Sequence, residues 1–563
     1  MKYSLLCEVY EALESHASRL EKTEILADFL KKIKSEKNKD IIYLLQGRIF
    51  PDYDNREIGI STQLVMKALS RSTGLSAGEI EKHWKKLGDL GLVAELITSK
   101  KRQSTLSSSQ LTTEKVLTNL QKLPALEGKG TVDKKMALIS ELLTSASPKE
   151  AKYIVRTLLS DLRIGTGAGT LRDSIVWACF DKENKEAYEA VQEAYDTSTD
   201  WKLVLEKAHK GISELQKTEL TPGTAVKVML YPKVANVEEA FERAGKPSAF
   251  EFKYDGFRVM CNKEENGKIK LFTRRLDDVS KQFPDVIKYV KENIKGKSFI
   301  IDGEAVGYDP KTKKYRPFQE ISQRIKRKYE IEKLERELPV EVIIFDVIYY
   351  EGKSYIKVPF KERRKLLEKI VKQQKHKIIL AEQIIAENEK EAQKFFAKAM
   401  EEGQEGLMVK NLEAPYKPGS RIGYGYKWKP EDRDFDLVIT EAEYGTGKRA
   451  GWLTSYTVAC RHEGKFLEVG KVSTGLKEKE EEGLSFKEMT KILKPLAEKE
   501  EGRMIKVKPK IVVAVTYQNI QKSPTYASGF ALRFPRITRL RPDRNTSDIA
   551  SLNEIKKDYK EKE

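Results

Sequence analysis

Lysines and carboxylates recur in the middle of this 563-residue chain at spacings that could do chemistry. In "FEFKYDGFRV", Phe250 to Val259, the charged residues Glu251, Lys253 and Asp255 alternate with Phe250, Phe252 and Tyr254. Read as one strand, the stretch puts two acids and a lysine on one face and three aromatics on the other. That charged face is either ordinary solvated surface or a place where the lysine works. A lysine amine is a nucleophile only when neutral, and an unperturbed one titrates near ~10.4, so desolvation or neighbouring cations must favour the neutral form. Lys427 and Lys429 of "YKWK" alternate on one expected strand face and are candidates for those neighbours. Glu304 in "IIDGEAV" and Glu405 in "EGLMVK" each stand beside a glycine at one end of an apolar run. Their carboxylates are hard oxygen ligands suited to Mg²⁺ with several waters, or, alternatively, salt-bridge partners of a nearby lysine. Asp255 either orients Lys253 or forms a turn with Gly256.

The elements that must position these residues follow from pattern. The length suits about three domains. Up to about residue 220 apolar residues repeat at three and four, as in "DKKMALISELLTSA" and "AKYIVRTLLSDLRIG", which predicts helices. The polar stretch Thr98 to Glu114 reads as an exposed loop, and Pro222 and Gly223 punctuate the end of the helical region. From 221 to 432, short apolar or alternating segments such as "KSFIIDGEAVGYD" and "VEVIIFDVIYYEG" predict an α+β domain. From 433 to 563, "DLVITEAEYG", "SYTVACRHEG", "KFLEVGKVS" and "KIVVAVTYQNI" predict a small strand-rich barrel.

Composition narrows the partners. A net charge of +18, from 104 Lys plus Arg against 86 Asp plus Glu, favours a polyanion, most simply nucleic acid. The Lys- and Glu-heavy 34% charged content is also that of proteins from hot environments, where giving up charge hydration costs less. No run reaches the ~18 to 20 apolar residues of a membrane helix, and the first twenty residues read as an amphipathic helix without a cleavage site, so a cytoplasmic location is expected. Cys7, Cys179, Cys261 and Cys460 are scattered, forming neither a disulfide framework nor a zinc site. Two glycine-rich stretches fail as phosphate loops. "IGTGAGT" has the wrong spacing and follows a helical pattern, whereas "EYGTGKRAG" has Ala442 and Arg449 where a P-loop needs Gly and Ser or Thr.

The order K-x-D-G, then "IIFD", then "EGLMVK", then "KWK" resembles the covalent nucleotidyltransferases, which comprise DNA ligases, RNA ligases and capping enzymes. With "FTRRL", "RPFQEISQR", "LRFPRITRLRPDR" and, in the helical region, "LLSDLRIGTGAGTLRD", the chain from about 150 to 544 is similar to the ATP-dependent DNA ligases of archaea and eukaryotes. The resemblance implies a multidomain chain: an all-α DNA-binding domain (1–220), an α+β nucleotidyltransferase domain (221–432) and an all-β OB-fold domain with a helical tail (433–563). It implies ATP and Mg²⁺, with Mn²⁺ as an alternative, and Lys253 as the adenylated residue. Glu251 would read the adenine amino group and Phe345 would stack on the ring. Arg258, Arg274, Arg421 and Lys427 would contact ribose or phosphate, with Lys429 in the same motif; Glu304 and Glu405 would hold the metal. Arg541, Asp543 and Arg544 would face the pyrophosphate, Arg544 standing where lysine is usual; otherwise the arginine tail is a DNA-backbone patch. Arg163 and Arg172, with backbone N–H groups at a helix start, would bind DNA phosphates or merely flank a helix-capping turn.

The resemblance makes nicked double-stranded DNA the implied substrate. An RNA ligase or a capping guanylyltransferase shares K-x-D-G, but a long helical front argues against both. A catalytically dead nick-binding scaffold would have no use for Lys253, Glu304, Glu405 and Lys427 together. The 102–109 loop lies where archaeal ligases present a sliding-clamp contact; Gln103 and Leu106 fit its start, but its aromatic pair is missing, which leaves a plain solvated loop as the other reading. A monomer is expected.

Overall fold

The computed structural model describes residues 1–560 apart from 37, 55, 101–110, 127–129, 326, 328, 420–423, 431–432, 446–448, 450 and 479–482. Two compact units emerge, Met1–Met400 with Gln404–Trp428, and Glu401–Gly403 with Lys429–Glu563.

The front of the first unit is helical from Tyr3–Ser15 to Ile212–Gln216 around one apolar core. Local signals set the boundaries. Helix Pro148–Leu158 starts with a Ser147/Glu150 capping box and proline in its first turn, where the absent N–H costs nothing. It packs on helix Leu90–Ser99 at Gly91, where a Cβ would meet Arg156 Cγ at 2.7 Å and the Lys152 carbonyl at 2.9 Å. Arg156, almost fully buried, bonds Asp89 at 2.7 Å and Glu14 at 2.8 Å, so these charges are paired inside the helical layer. The loop expected over Thr98 to Glu114 is trimmed at both ends by helices Leu90–Ser99 and Thr113–Lys122; its centre, with the 102–109 clamp reading, lies outside the described residues.

The middle region carries two sheets. One has the order Lys233–Val234, Gly425–Trp428, Leu407–Asn411, Ser248–Phe252, Gln383–Ala386. The other runs Ile269–Thr273, Phe257–Lys263, Phe299–Gly307, Val340–Tyr350, Lys353–Ser354, with Ile378–Leu380 parallel to Val340–Tyr350. The segment from Leu220 to Tyr231 packs on Met260, Phe272, Ile300 and Ile348 of the second sheet, so the connection from the helical front is itself core.

At that junction Lys227 N–H donates to the Asp196 carbonyl at 3.1 Å and Thr199 Oγ1 donates to the Ala225 carbonyl at 2.8 Å. The Asp196 side chain is buried against Gly419 and accepts from Gln192 Nε2 at 3.0 Å. Burial pushes its carboxyl up to about 6, against ~3.9 for a free one. A raised folded-state value favours the protonated form, so this contribution to stability is complete below ~pH 4 and lost as pH rises through 6. Asp196→Asn should therefore raise the melting temperature at pH 7.5, by on the order of 1–3 kcal/mol of stability, and flatten its decline between pH 4 and 6. Melts of both proteins across that range check it.

The second unit is strand-rich: Lys465–Val472, Leu453–His462, Arg433–Tyr444, Met504–Val507 and Ala497–Glu501 are neighbours in that order, and Val512–Tyr517 joins Arg433–Tyr444 to Arg536–Leu540. Helix Leu552–Lys560 follows and packs Leu552 and Ile555 into the same core. No helix among the described residues is long and apolar enough to cross a membrane. Cys7, Cys261 and Cys460 are buried and Cys179 is half-buried, all as free thiols.

Candidate active site

The stretch 250–259 is not one strand. Strand Ser248–Phe252 ends before Lys253, and the next, Phe257–Lys263, belongs to the other sheet, so Lys253 to Gly256 form the crossover between sheets. The period-two pattern persists through Lys253 because its N–H donates to the Gly406 carbonyl and its carbonyl accepts from Glu405 N–H, both at 2.9 Å. That main-chain pairing sets Glu405 beside Lys253, and the Lys253 ammonium is ion-paired with the Glu405 carboxylate. Phe250, Phe252 and Tyr254 are core, as the alternation predicts, but Glu251 is not on a solvated face: it is 1% exposed. Its Oε2 lies 2.6 Å from Lys410 Nζ, and its Oε1 accepts from Gln383 Nε2 at 2.8 Å.

Asp255 Oδ2 accepts from Phe318 N–H at 3.2 Å, at the start of helix Phe318–Ile325, where the helix dipole favours an anion. Gly256 is required by contact: a Cβ there would drive into the Ala305 carbonyl and come within 3.0 Å of Glu304 Cγ. On the resemblance drawn from the sequence, Gly256→Ala should displace the crossover and lower adenylation by at least ~100-fold while nicked-DNA binding changes little, measured by single-turnover label transfer and by gel shift.

Opposite the crossover, Arg258 and Glu304 are direct cross-strand partners. Arg258 is held by Asp302 at 2.9 and 2.5 Å and by the Met229 carbonyl at 2.7 Å; Asp302 also accepts from the Tyr416 hydroxyl at 2.7 Å. Glu304 lies within strand Phe299–Gly307. Burial pushes its carboxyl up to about 8; Lys253 and Arg258 pull against that rise, and Asp302 and Glu405 add to it. The Phe345 ring has Lys410 Nζ 4.8 Å and the Arg258 guanidinium 5.4 Å from its centroid.

Glu251, Lys253, Arg258, Arg274, Glu304, Phe345 and Lys427 line one cleft of about 2410 Å³, together with Arg48, Arg56 and other residues of the helical front. Arg274 is exposed at its wall. Strand Gly425–Trp428 stops before Lys429, the first residue of its segment of the second unit, so Lys427 and Lys429 do not share a strand face. Arg421 lies outside the described residues. In the second unit, the Arg541 guanidinium is held by Asp436 at 2.8 and 2.9 Å and by Asp543 at 2.8 and 3.0 Å, and Arg544 Nε stands 3.7 Å from Asp436. The hydrogen bond from Arg541 holds the Asp543 carboxyl down at about 2.

Arg163 and Arg172 belong to the helical front, where they pair with Asp161 and Asp173. Between them helix Ala168–Cys179 begins at Gly167 with no side-chain cap, leaving its first N–H groups to other acceptors. Sequence reasoning missed Lys410, Gln383 and Asp302. Lys410 closes "EGLMVK" and Asp302 opens "DGE", so each sits within a recognisable motif; Gln383 carries no signal apart from its strand.

Among the described residues no group of three or more His, Cys, Asp or Glu forms a metal cage. The carboxylates of Glu304 and of Glu405, the latter ion-paired with Lys253, are hard oxygen ligands of the kind that suits a cation that keeps waters and takes its remaining ligands from phosphate.

A family model described as "DNA ligase N terminus" matches residues 2–176, "ATP dependent DNA ligase domain" matches 228–429, and "ATP dependent DNA ligase C terminal region" matches 449–544. The DNA ligase of Nanoarchaeum equitans (strain Kin4-M) is 45% identical over 564 residues, covering 99% of this chain and 98% of the relative. The DNA ligase of Thermococcus fumicolans is 40% identical over 565 residues, covering 99% and 98%. A solved structure described as "Pmar-Lig_PreS3" is a likeness of fold alone, at 17% identity and a TM-score of 0.57 over 95% of this chain and 99% of its own. With the three family models in chain order and relatives matched end to end, the chain belongs to the ATP-dependent DNA ligases.

Proposed function

We propose that Lys253 is the residue through which this DNA ligase carries AMP, within a nucleotidyltransferase domain over 221–432 flanked by a DNA-binding helical domain (1–220) and an OB-fold domain (433–563). The observation that carries the reading is the single cleft lined by Glu251, Lys253, Arg258, Glu304, Phe345 and Lys427, with Glu405 paired to the lysine.

A DNA ligase of this family seals nicks in duplex DNA in three transfers. The Lys253 amine, having given up its proton, attacks the α-phosphorus of ATP; the new N–P bond replaces the bond to pyrophosphate, which leaves. The 5′-phosphate at the nick then attacks the same phosphorus and frees the lysine. Finally the 3′-hydroxyl attacks the activated 5′-phosphate, its proton is lost and AMP departs. Glu405 holds the amine before attack, Phe345 offers a face for the base and Glu251 an acceptor for its amino group. Arg258, Arg274, Arg421 and Lys427 neutralise ribose-phosphate charge, and Lys429 extends that basic motif. Mg²⁺ held by Glu304 and Glu405 would neutralise phosphate charge in these transfers, and Mn²⁺ suits the same ligands. Arg541, Asp543 and Arg544 engage the pyrophosphate, and Arg163 and Arg172 the DNA backbone.

Intact-mass analysis after incubation with ATP and Mg²⁺, with peptide mapping, tests the reading. An AMP adduct on Lys253 that disappears as nicked duplex is sealed is expected. An adduct on another residue would overturn the assignment.

A further inference from the structure

Glu251 is the base-reading residue of the proposed function, and the role inferred for its neighbours rests on that assignment. It stands in strand Ser248–Phe252 directly opposite Gln383 of the edge strand, so the two side chains share a face, and opposite Met408 on the other side. Lys410 lies two residues beyond Met408 on that neighbouring strand and reaches back diagonally to Glu251 Oε2 at 2.6 Å, itself 3% exposed. The same ammonium lies 3.4 Å from the Phe345 carbonyl and 4.8 Å from the centre of the Phe345 ring. One cation therefore ties together the group assigned to the edge of the base and the group assigned to its face. Gln383 Nε2 holds the other oxygen at 2.8 Å, and Arg364 Nη1, a buried nitrogen with no hydrogen-bond partner, stands 3.8 Å from it.

A carboxylate gripped in this way is fixed in position. Its remaining lone pairs can accept, and it has no proton to donate. At the position where adenine presents an amino donor, guanine presents a carbonyl acceptor. A fixed anionic acceptor attracts the first and repels the second, whereas a neutral or freely turning group discriminates poorly.

We infer that Lys410 and Gln383 are positioning residues that clasp Glu251 as a fixed acceptor, and that this clasp makes the nucleotide pocket select adenine over guanine. Removing Lys410 takes away the direct cation that holds Glu251 Oε2 and frees that oxygen to turn. Removing Gln383 frees one oxygen to rotate.

The test is single-turnover formation of the covalent nucleotidyl adduct from ATP and from GTP with the full chain, followed by intact mass. The ratio of the two rates should fall by at least about tenfold in Lys410→Met and by a smaller factor in Gln383→Leu, and should be largely retained in Lys410→Arg. Equal losses with both nucleotides in Lys410→Met and Gln383→Leu would reduce the cluster to scaffolding and overturn the inference. Should Lys410→Met fail to fold, Gln383→Leu, at a half-buried edge position, decides alone. Glu251→Gln separates the clasp from the base-reading assignment beneath it. An unchanged ratio there removes the base-reading assignment itself. A changed ratio there with unchanged ratios in the Lys410 and Gln383 variants overturns only the clasp.

Discussion

Lys253→Ala should lose ATP-driven nick sealing by at least ~10⁴-fold, because a positioned intramolecular nucleophile is worth effective molarities of roughly 10⁵ M or more and no water or free amine replaces it. The loss should be confined to the first two transfers. The last uses the 3′-hydroxyl as nucleophile, so the variant should seal a nick supplied with its 5′-phosphate already adenylated within about tenfold of the wild-type rate. It should also bind nicked duplex, since phosphate contacts spread over many basic side chains dominate such binding. Parallel assays on ordinary and pre-adenylated nicks check both. Loss of sealing on both would show that the lysine acts in joining itself, not only in charging the enzyme.

The second large effect concerns stability. Arg324 and Asp285, 0% and 1% exposed, form a bidentate pair at 2.5 and 2.8 Å, and Arg324 also donates to the Gln282 and Leu338 carbonyls at 3.1 and 3.2 Å. Asp285→Ala strands a guanidinium in the core and should cost about 3–5 kcal/mol, which shows as a lowered thermal midpoint. Replacing both partners, Asp285→Leu with Arg324→Met, should recover most of that loss, because burying no charge is far cheaper than burying one unpaired. Melts of Asp285→Leu, Arg324→Met and the double variant measure the coupling.

Whether a residue's partner is near or far along the chain decides how much of the molecule is legible in its sequence. The helical front is readable from period and caps, as in Ser147 and Glu150 around Pro148, because those signals sit within four residues of each other. The aromatic half of "FEFKYDGFRV" is readable for the same reason. Its charged half is not: by period alone that face is either solvated surface or a place where the lysine works, since Lys410, which buries Glu251, arrives from a strand far along the chain, and the strand break after Phe252 is masked by continued pairing to Gly406. Glu251, Lys253, Arg258, Arg274, Glu304, Phe345 and Lys427 of the cleft are all picked out by motif resemblance, which carries tertiary information that period does not. Arg541 is picked out in the same way, but its partner Asp436 lies in a strand start that bears no motif.

That last pairing has a kinetic meaning. In the pyrophosphate role proposed for it, Arg541, already holding two carboxylates, would bring no unmet charge to a polyphosphate and would trade one set of oxygens for another. The net gain is the small difference between two similar sets of charge-assisted bonds. A grip of that kind is selective for geometry yet weak overall, so the leaving pyrophosphate would not be trapped, and the reaction would run forward on turnover instead of stalling on its own product.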